Sequence, residues 1–149
     1  LCQTEDGMSV VVMDHYMPHP IGRSFDTPGN LEKTASALMQ LLSDFVAKKK
    51  GARDGLMWDF SESKGNLVGL LTGDSHVNAF ANENGVNYYV SQGYGALENE
   101  QLLPSQKRVE FNSRESLCVD IVVIKPQKRE VRTFRLGAGG EEMDYEFRY

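Results

Sequence analysis

The chain has 149 residues, 40% hydrophobic and 25% charged, with a formal net charge of -5. That length and composition suit one globular domain spanning residues 1–149 with a single core, and leave too little chain for a second. The acid excess argues against a surface for phosphate backbones or anionic lipid, so no nucleic-acid or membrane partner is expected. No apolar stretch nears the ~20 residues that span a bilayer.

The two cysteines, Cys2 and Cys118, stand in no Cys-x-x-Cys spacing, which argues against a disulfide scaffold and a thiolate zinc site. Cys118 lies in "LCVDIVVI" and reads as a buried thiol. The chain opens at Leu1 and enters the apolar run "MSVVVM" within seven residues, as expected where a leading segment has been removed or the chain is a piece. The compartment is left open.

In chain order, residues 8–13 are β-rich and lack a helical period, so they read as a buried strand. "DHYMPHPIGRSFDTPGN" carries three prolines and two glycines and reads as loop. From 31 to about 48, Leu31, Ala35, Leu38, Leu42 and Phe45 mark one face of an amphipathic helix, with Asn30 as N-cap and lysines plus Gly51 at its end. A loop holding the only tryptophan follows. Strands are then expected at 67–72 and at 85–93, the latter entered through a hairpin turn at Asn84-Gly85. Residues 94–116 are polar without a period. Strands at 119–124 and 130–136 flank the hairpin-length "KPQKR", and a glycine-rich, then acidic-aromatic tail closes the chain. The expected architecture is α/β (α+β): one main helix against one mixed sheet of about five strands, with α/β order in the first half and antiparallel hairpins in the second.

Chemistry-bearing residues are few. Two of the three histidines, His15 and His76, follow the ends of apolar strands, and the carboxyl ends of strands are where α/β sheets bind ligands. If the two strands are parallel neighbours, His15, Asp74 and His76 converge on one edge. Two imidazoles and a carboxylate suit a divalent ion such as zinc, manganese or iron, and Asp14 is a further carboxylate nearby. Each histidine could instead be a loop residue satisfied by backbone. In "LTGDSHVNAF", Ser75 could also be the nucleophile of a Gly-Asp-Ser esterase turn, which needs a histidine base. No histidine follows His76, and His15 would serve only in a rearranged chain order. The glycines of "RLGAGG" lack a P-loop lysine and a following helix, so they read as a turn with positive backbone angles. Tyr88, Tyr89 and Tyr94 read as packing residues, and Asn78 and Tyr94 as bordering a pocket.

The succession "VVVMDHYMP", a helix, "GNLVGLLTGDSHVNAFANENGVNYYVSQG" and "VDIVVIKPQKREVRTFRLGAGG" resembles the C-terminal half of a calcineurin-like metallophosphoesterase. The tail is similar to that of a bacterial subgroup. The resemblance covers residue 8 to the end and implies half of an α/β/β/α sandwich. It implies that His15 is a second-metal ligand, that His76 is the last histidine of Gly-His-x-His and a first-metal ligand, and that Asp74 stands where that motif has its first histidine, normally a second-metal ligand. A carboxylate there adds negative charge and changes reach. Manganese, iron or zinc is the implied cofactor, a metal-bound hydroxide the implied nucleophile, and a phosphate mono- or diester the implied substrate, with Ser75 a bystander. The family takes an Asp-x-His, a bridging Gly-Asp and a Gly-Asn-His from its N-terminal half, and none of these precedes the stretch matched to Gly-His-x-His in this chain. The alternative is a binding or structural domain that keeps the half-fold without catalysis. Either way one sheet face is expected to lack its partner, so the chain should form a homodimer, pair with an N-terminal half or expose an apolar patch.

Overall fold

The computed structural model describes residues 1–21, 30–73, 78–91, 118–137 and 144–149. Among them are one α-helix, α1 (Asn30–Val46), and nine strands: β1 (Ser9–Met13), β2 (Lys50–Arg53), β3 (Leu56–Asp59), β4 (Asn66–Thr72), β5 (Ala79–Glu83), β6 (Val86–Val90), β7 (Cys118–Lys125), β8 (Glu130–Gly137) and β9 (Glu146–Arg148). The chain is mixed α+β and mostly sheet. The single sheet of about five strands is replaced by three sheets: a four-stranded one in the order β1-β4-β6-β5, the hairpin β2-β3, and a three-stranded one in the order β7-β8-β9.

The central four-stranded sheet is mixed. β1, β4 and β6 run parallel, and β5 closes antiparallel onto β6. β4 and β6 are its inner strands, and their near-continuous apolar sequences, "LVGLLT" and "VNYYV", follow from burial on both faces. Gly69 breaks the alternation of β4. The register with β1 shifts there, Val10 facing Leu67 and Val11 facing Gly69. Gly69 has φ +155°, and a Cβ on it would lie 2.6 Å from the Asn87 carbonyl oxygen, so only glycine fits this bulge. The extra residue lets Leu67 and Leu70, three apart, share the face toward α1, while Val68 points to the other side.

On the first face Leu42 and Phe45 of α1, both fully buried, pack with Leu67, Leu70, Val86, Tyr88 and Val90, and Phe60 meets Phe45 edge to face at 5.3 Å. The helical stripe expected from the sequence is thus core at Leu38, Leu42 and Phe45. α1 ends at Val46 because Lys48 turns left-handed (φ 55°), and the Lys48 and Lys49 amides donate to the Phe45 and Asp44 carbonyls, closing the last turn as a glycine would elsewhere. The Lys48 ammonium lies over the Phe45 ring at 4.2 Å and donates to the Gly65 carbonyl. On the second face Val68 packs with Val131 of β8 and Phe147 of β9. The layers therefore run helix, sheet, sheet. Asn87, 3% exposed, links them by donating to the Val68 and Arg148 carbonyls, both at 3.0 Å.

The strands missed in the sequence are short or polar. β2, "KGAR", has no apolar run, and the segment holding Trp58 is the other half of its hairpin rather than a loop. Asp54-Gly55 (φ 50° and 82°) forms its two-residue turn, the same chemistry as Asn84-Gly85 (φ 52° and 77°) between β5 and β6. Trp58 is buried and its indole N–H donates to Asp44 at 3.0 Å. The "KPQKR" loop is a 3₁₀ turn, Pro126–Lys128, closed by Arg129 at φ 49°.

The outward face of β7 and β8 carries an apolar patch. Register pairs Val119 with Leu136 and Ile121 with Phe134, and with Val123 these side chains are 36–47% exposed. Their inward neighbours are buried on β8 (Val131, Thr133, Arg135) and partly buried on β7 (Asp120, Val122, Ile124), so the exposure follows from strand alternation with no further layer among the described residues.

Candidate functional site

The two strands whose ends carry the candidate histidines are parallel neighbours, as the convergence of His15 with Asp74 and His76 requires. Met13 is level with Leu71, and the Asp14 amide donates to the Leu71 carbonyl at 3.1 Å. On the other side the Ser91 amide donates to the Thr72 carbonyl at 2.8 Å. Asp14–His15, Thr72–Gly73 and Ser91 therefore form one row along the carboxyl edge of the central sheet, the ligand-binding edge of such sheets.

His15 is exposed, its amide donates to the Asp14 carboxylate at 2.7 Å, and its ring meets Tyr16 edge to face at 4.9 Å. Continuing the register places His15 level with Gly73, one residue before Asp74. Asp74, Ser75 and His76 lie outside the described residues, as does Tyr94. Among the described residues no group of three or more His, Cys, Asp or Glu side chains is placed to hold a metal ion. The donors present at the edge, the His15 imidazole and the Asp14 carboxylate, are of the nitrogen and oxygen types that zinc, manganese and iron take. Asn78, expected at a pocket rim, is half-buried at the start of the segment leading to β5.

Directly beneath this edge lies a polar cluster that sequence reasoning missed. Asp120 of β7 and Arg135 of β8 are cross-strand partners on the inward face, with side chains 2% and 0% exposed. The guanidinium holds the carboxylate with two nitrogens, Nε on Oδ1 and Nη2 on Oδ2 at 2.9 Å. The Tyr89 and Ser91 hydroxyls donate to Oδ2 at 2.6 and 2.5 Å. Burial alone would raise the Asp120 pKa, but the hydrogen bonds from Arg135, Ser91 and Tyr89 outweigh it and hold the carboxyl below its ordinary value. Burial, with the bond to Asp120, pushes the Tyr89 hydroxyl well up. Cys118 is buried, as its reading as a buried thiol expects, and burial raises its thiol. The cluster ties the second sheet to the tip of β6, beside Gly73. The sequence did hold a signal: Asp120 and Arg135 interrupt "LCVDIVVI" and "VRTFRL" at the inward parity of each strand, where an unpaired charge would be prohibitive.

His19, the third histidine, is buried against Tyr88 and paired with Glu83. A hollow of about 310 Å³ lined by Ser9, Asn66 and Arg129 lies where β1 and β4 begin, at the opposite end from His15. No protein-family model matches the chain, and no curated protein and no solved structure is similar to it.

Proposed function

We propose that the chain is the C-terminal portion of a metal-dependent phosphoesterase acting on phosphate mono- or diesters, with His15, Asp74 and His76 as metal ligands. The observation that carries the reading is the parallel pairing of β1 with β4, level at Met13 and Leu71, which brings the residues that follow both strands out at one carboxyl edge. Manganese, iron or zinc bound there would supply Lewis acidity toward a phosphoryl oxygen and an activated water. The chain's own residues hold the edge in place: Asp14 fixes the backbone at His15, and the Asp120 cluster fixes Ser91 beside Gly73.

The layer order gives further support. A helix covers one face of the central sheet and a second sheet covers the other, while that second sheet presents Val119, Ile121, Val123, Phe134 and Leu136 outward. Helix, sheet and sheet would be three of the four layers of an α/β/β/α sandwich, with the outer layer supplied by another segment or chain. The bridging carboxylate and remaining ligands of a two-metal centre would come from the same source, so this chain alone is expected to be inactive.

A non-catalytic domain of the same half-fold is the second reading, favoured by Asp74 in the position where the resemblance has histidine. Hydrolysis of bis(p-nitrophenyl) phosphate in manganese, by a protein joining this chain to a segment that carries the missing ligand motifs, separates the two. Turnover lost in His76→Ala supports the phosphoesterase. Full folding without turnover supports the non-catalytic domain, and turnover lost only in Ser75→Ala and insensitive to chelator would replace both with a serine esterase.

A further inference from the structure

The segment after β1 does more than connect it to α1. β1 is an edge strand of the sheet order β1-β4-β6-β5, yet six residues beyond Met13 the His19 ring stacks on Tyr88 of β6, with ring centres 4.6 Å apart and planes 29° apart. The same ring contacts the Glu83 carboxylate at the end of β5 through Nε2 at 2.8 Å. The segment therefore crosses β4 as a strap, with His15 and Tyr16 near its start.

The strap is fixed at both ends. At its start the Asp14 amide is bonded to Leu71. At its far end Met17 is fully buried and Ile21 packs against the same core on the α1 side. His19 is the centre of that anchor, its side chain 11% exposed. Its Nδ1 accepts from the Ile21 amide at 3.2 Å, which leaves the Nε2 proton to be donated to Glu83. Pro18 and Pro20 flank it and restrict the backbone on either side. Three separate contacts, to a carboxylate, an aromatic face and a backbone amide, thus hold one imidazole four residues from the candidate ligand.

We infer that His19 and Glu83 are a positioning pair for His15, holding the strap so that the His15 imidazole stays at the carboxyl edge beside Gly73. The inference rests on the reading of His15 as a metal ligand. Neither His19 nor Glu83 touches the metal. They act on it through a short, anchored stretch of backbone, without the direct hydrogen bond to the ligand that outer partners of metal ligands usually make.

The test is zinc titration of the chain and of His19→Ala, His19→Gln and Glu83→Ala, with amide hydrogen exchange at Ile21 and thermal melting on the same samples. His19→Ala and Glu83→Ala are expected to weaken zinc by up to about 10-fold, the low end of the range for partners bonded directly to a ligand, since neither touches His15. His19→Gln keeps a donor for Glu83 and is expected to recover most of the affinity. Exchange at Ile21 should accelerate in His19→Ala. Glu83 is half exposed, so its alanine variant folds even if His19→Ala does not. Zinc binding by the parent that is unchanged in Glu83→Ala and His19→Ala, whatever their melting temperatures, would make the pair purely structural and overturn the inference. A parent chain that takes up no zinc would instead overturn the metal reading of His15, and the positioning role with it.

Discussion

Asp120→Ala is the most informative stability experiment. The substitution leaves the Arg135 guanidinium, 0% exposed, without its carboxylate, and takes the acceptor from the Tyr89 and Ser91 hydroxyls. Removing one partner of a buried ion pair costs about 3–5 kcal/mol, because the other charge stays buried and uncompensated. Against the ~5–15 kcal/mol of a typical domain that is a large share, and at about 3 °C per kcal/mol for a chain of this size it lowers Tm by roughly 10–15 °C. Urea denaturation of the parent and variant measures it. The pH dependence carries the same signature. The folded-state carboxyl is held below its ordinary value, so on acidification the unfolded chain takes up the proton first. The contribution is complete above about pH 4, the ordinary carboxylate range, and is lost as pH falls through the depressed folded value. Asp120→Ala should therefore show a flatter loss of stability in acid than the parent. A variant within about 1 kcal/mol of the parent, the level of an ordinary surface change, would refute the reasoning.

Three other outcomes follow from the fold. Gly69→Ala forces a Cβ to 2.6 Å from the Asn87 carbonyl at φ +155°, and should cost about 2 kcal/mol or more in denaturant melts. Asn87→Ala leaves the Val68 and Arg148 carbonyls and the Asn82 amide without their partner, and should cost about 2–3 kcal/mol in the same assay. The exposed face of β7 and β8 should make the chain bind a fluorescent apolar dye or self-associate on size exclusion, and Ile121→Lys with Phe134→Lys should abolish this while preserving the far-ultraviolet spectrum. A parent that elutes as a clean monomer and binds no dye would count against an unpartnered face.

Long apolar runs made much of this fold legible in the sequence. α1, β4, β7 and β8 lie within two residues of their expected bounds, because their side chains repeat at a helical or strand period long enough to read. β2 and β9 were not legible, since four and three residues of mixed polarity carry no period. Their existence depends on partners: the turn at Asp54-Gly55 for the first, and the packing of Phe147 against Val68 for the second. The division into separate sheets was hidden for a related reason. Strand alternation gives each strand two faces but does not say which strands share a sheet, and here the break falls between β6 and β7. At the candidate site the strand-end position of His15 was readable, whereas the Asp120–Arg135 and His19–Glu83 pairs join residues 15 and 64 positions apart and exist only through the topology.

The central claim is that His15 and His76 are metal ligands at the edge of the central sheet. The chain has three histidines, so a nitrogen–proton correlation spectrum of the imidazoles, recorded as zinc is added and assigned by single alanine substitutions, tests it directly. The ring signals of both His15 and His76 are predicted to move on zinc addition and to return with chelator, while the His19 ring, held by Glu83 and the Ile21 amide, does not respond. Signals of His15 and His76 that stay in place would contradict it.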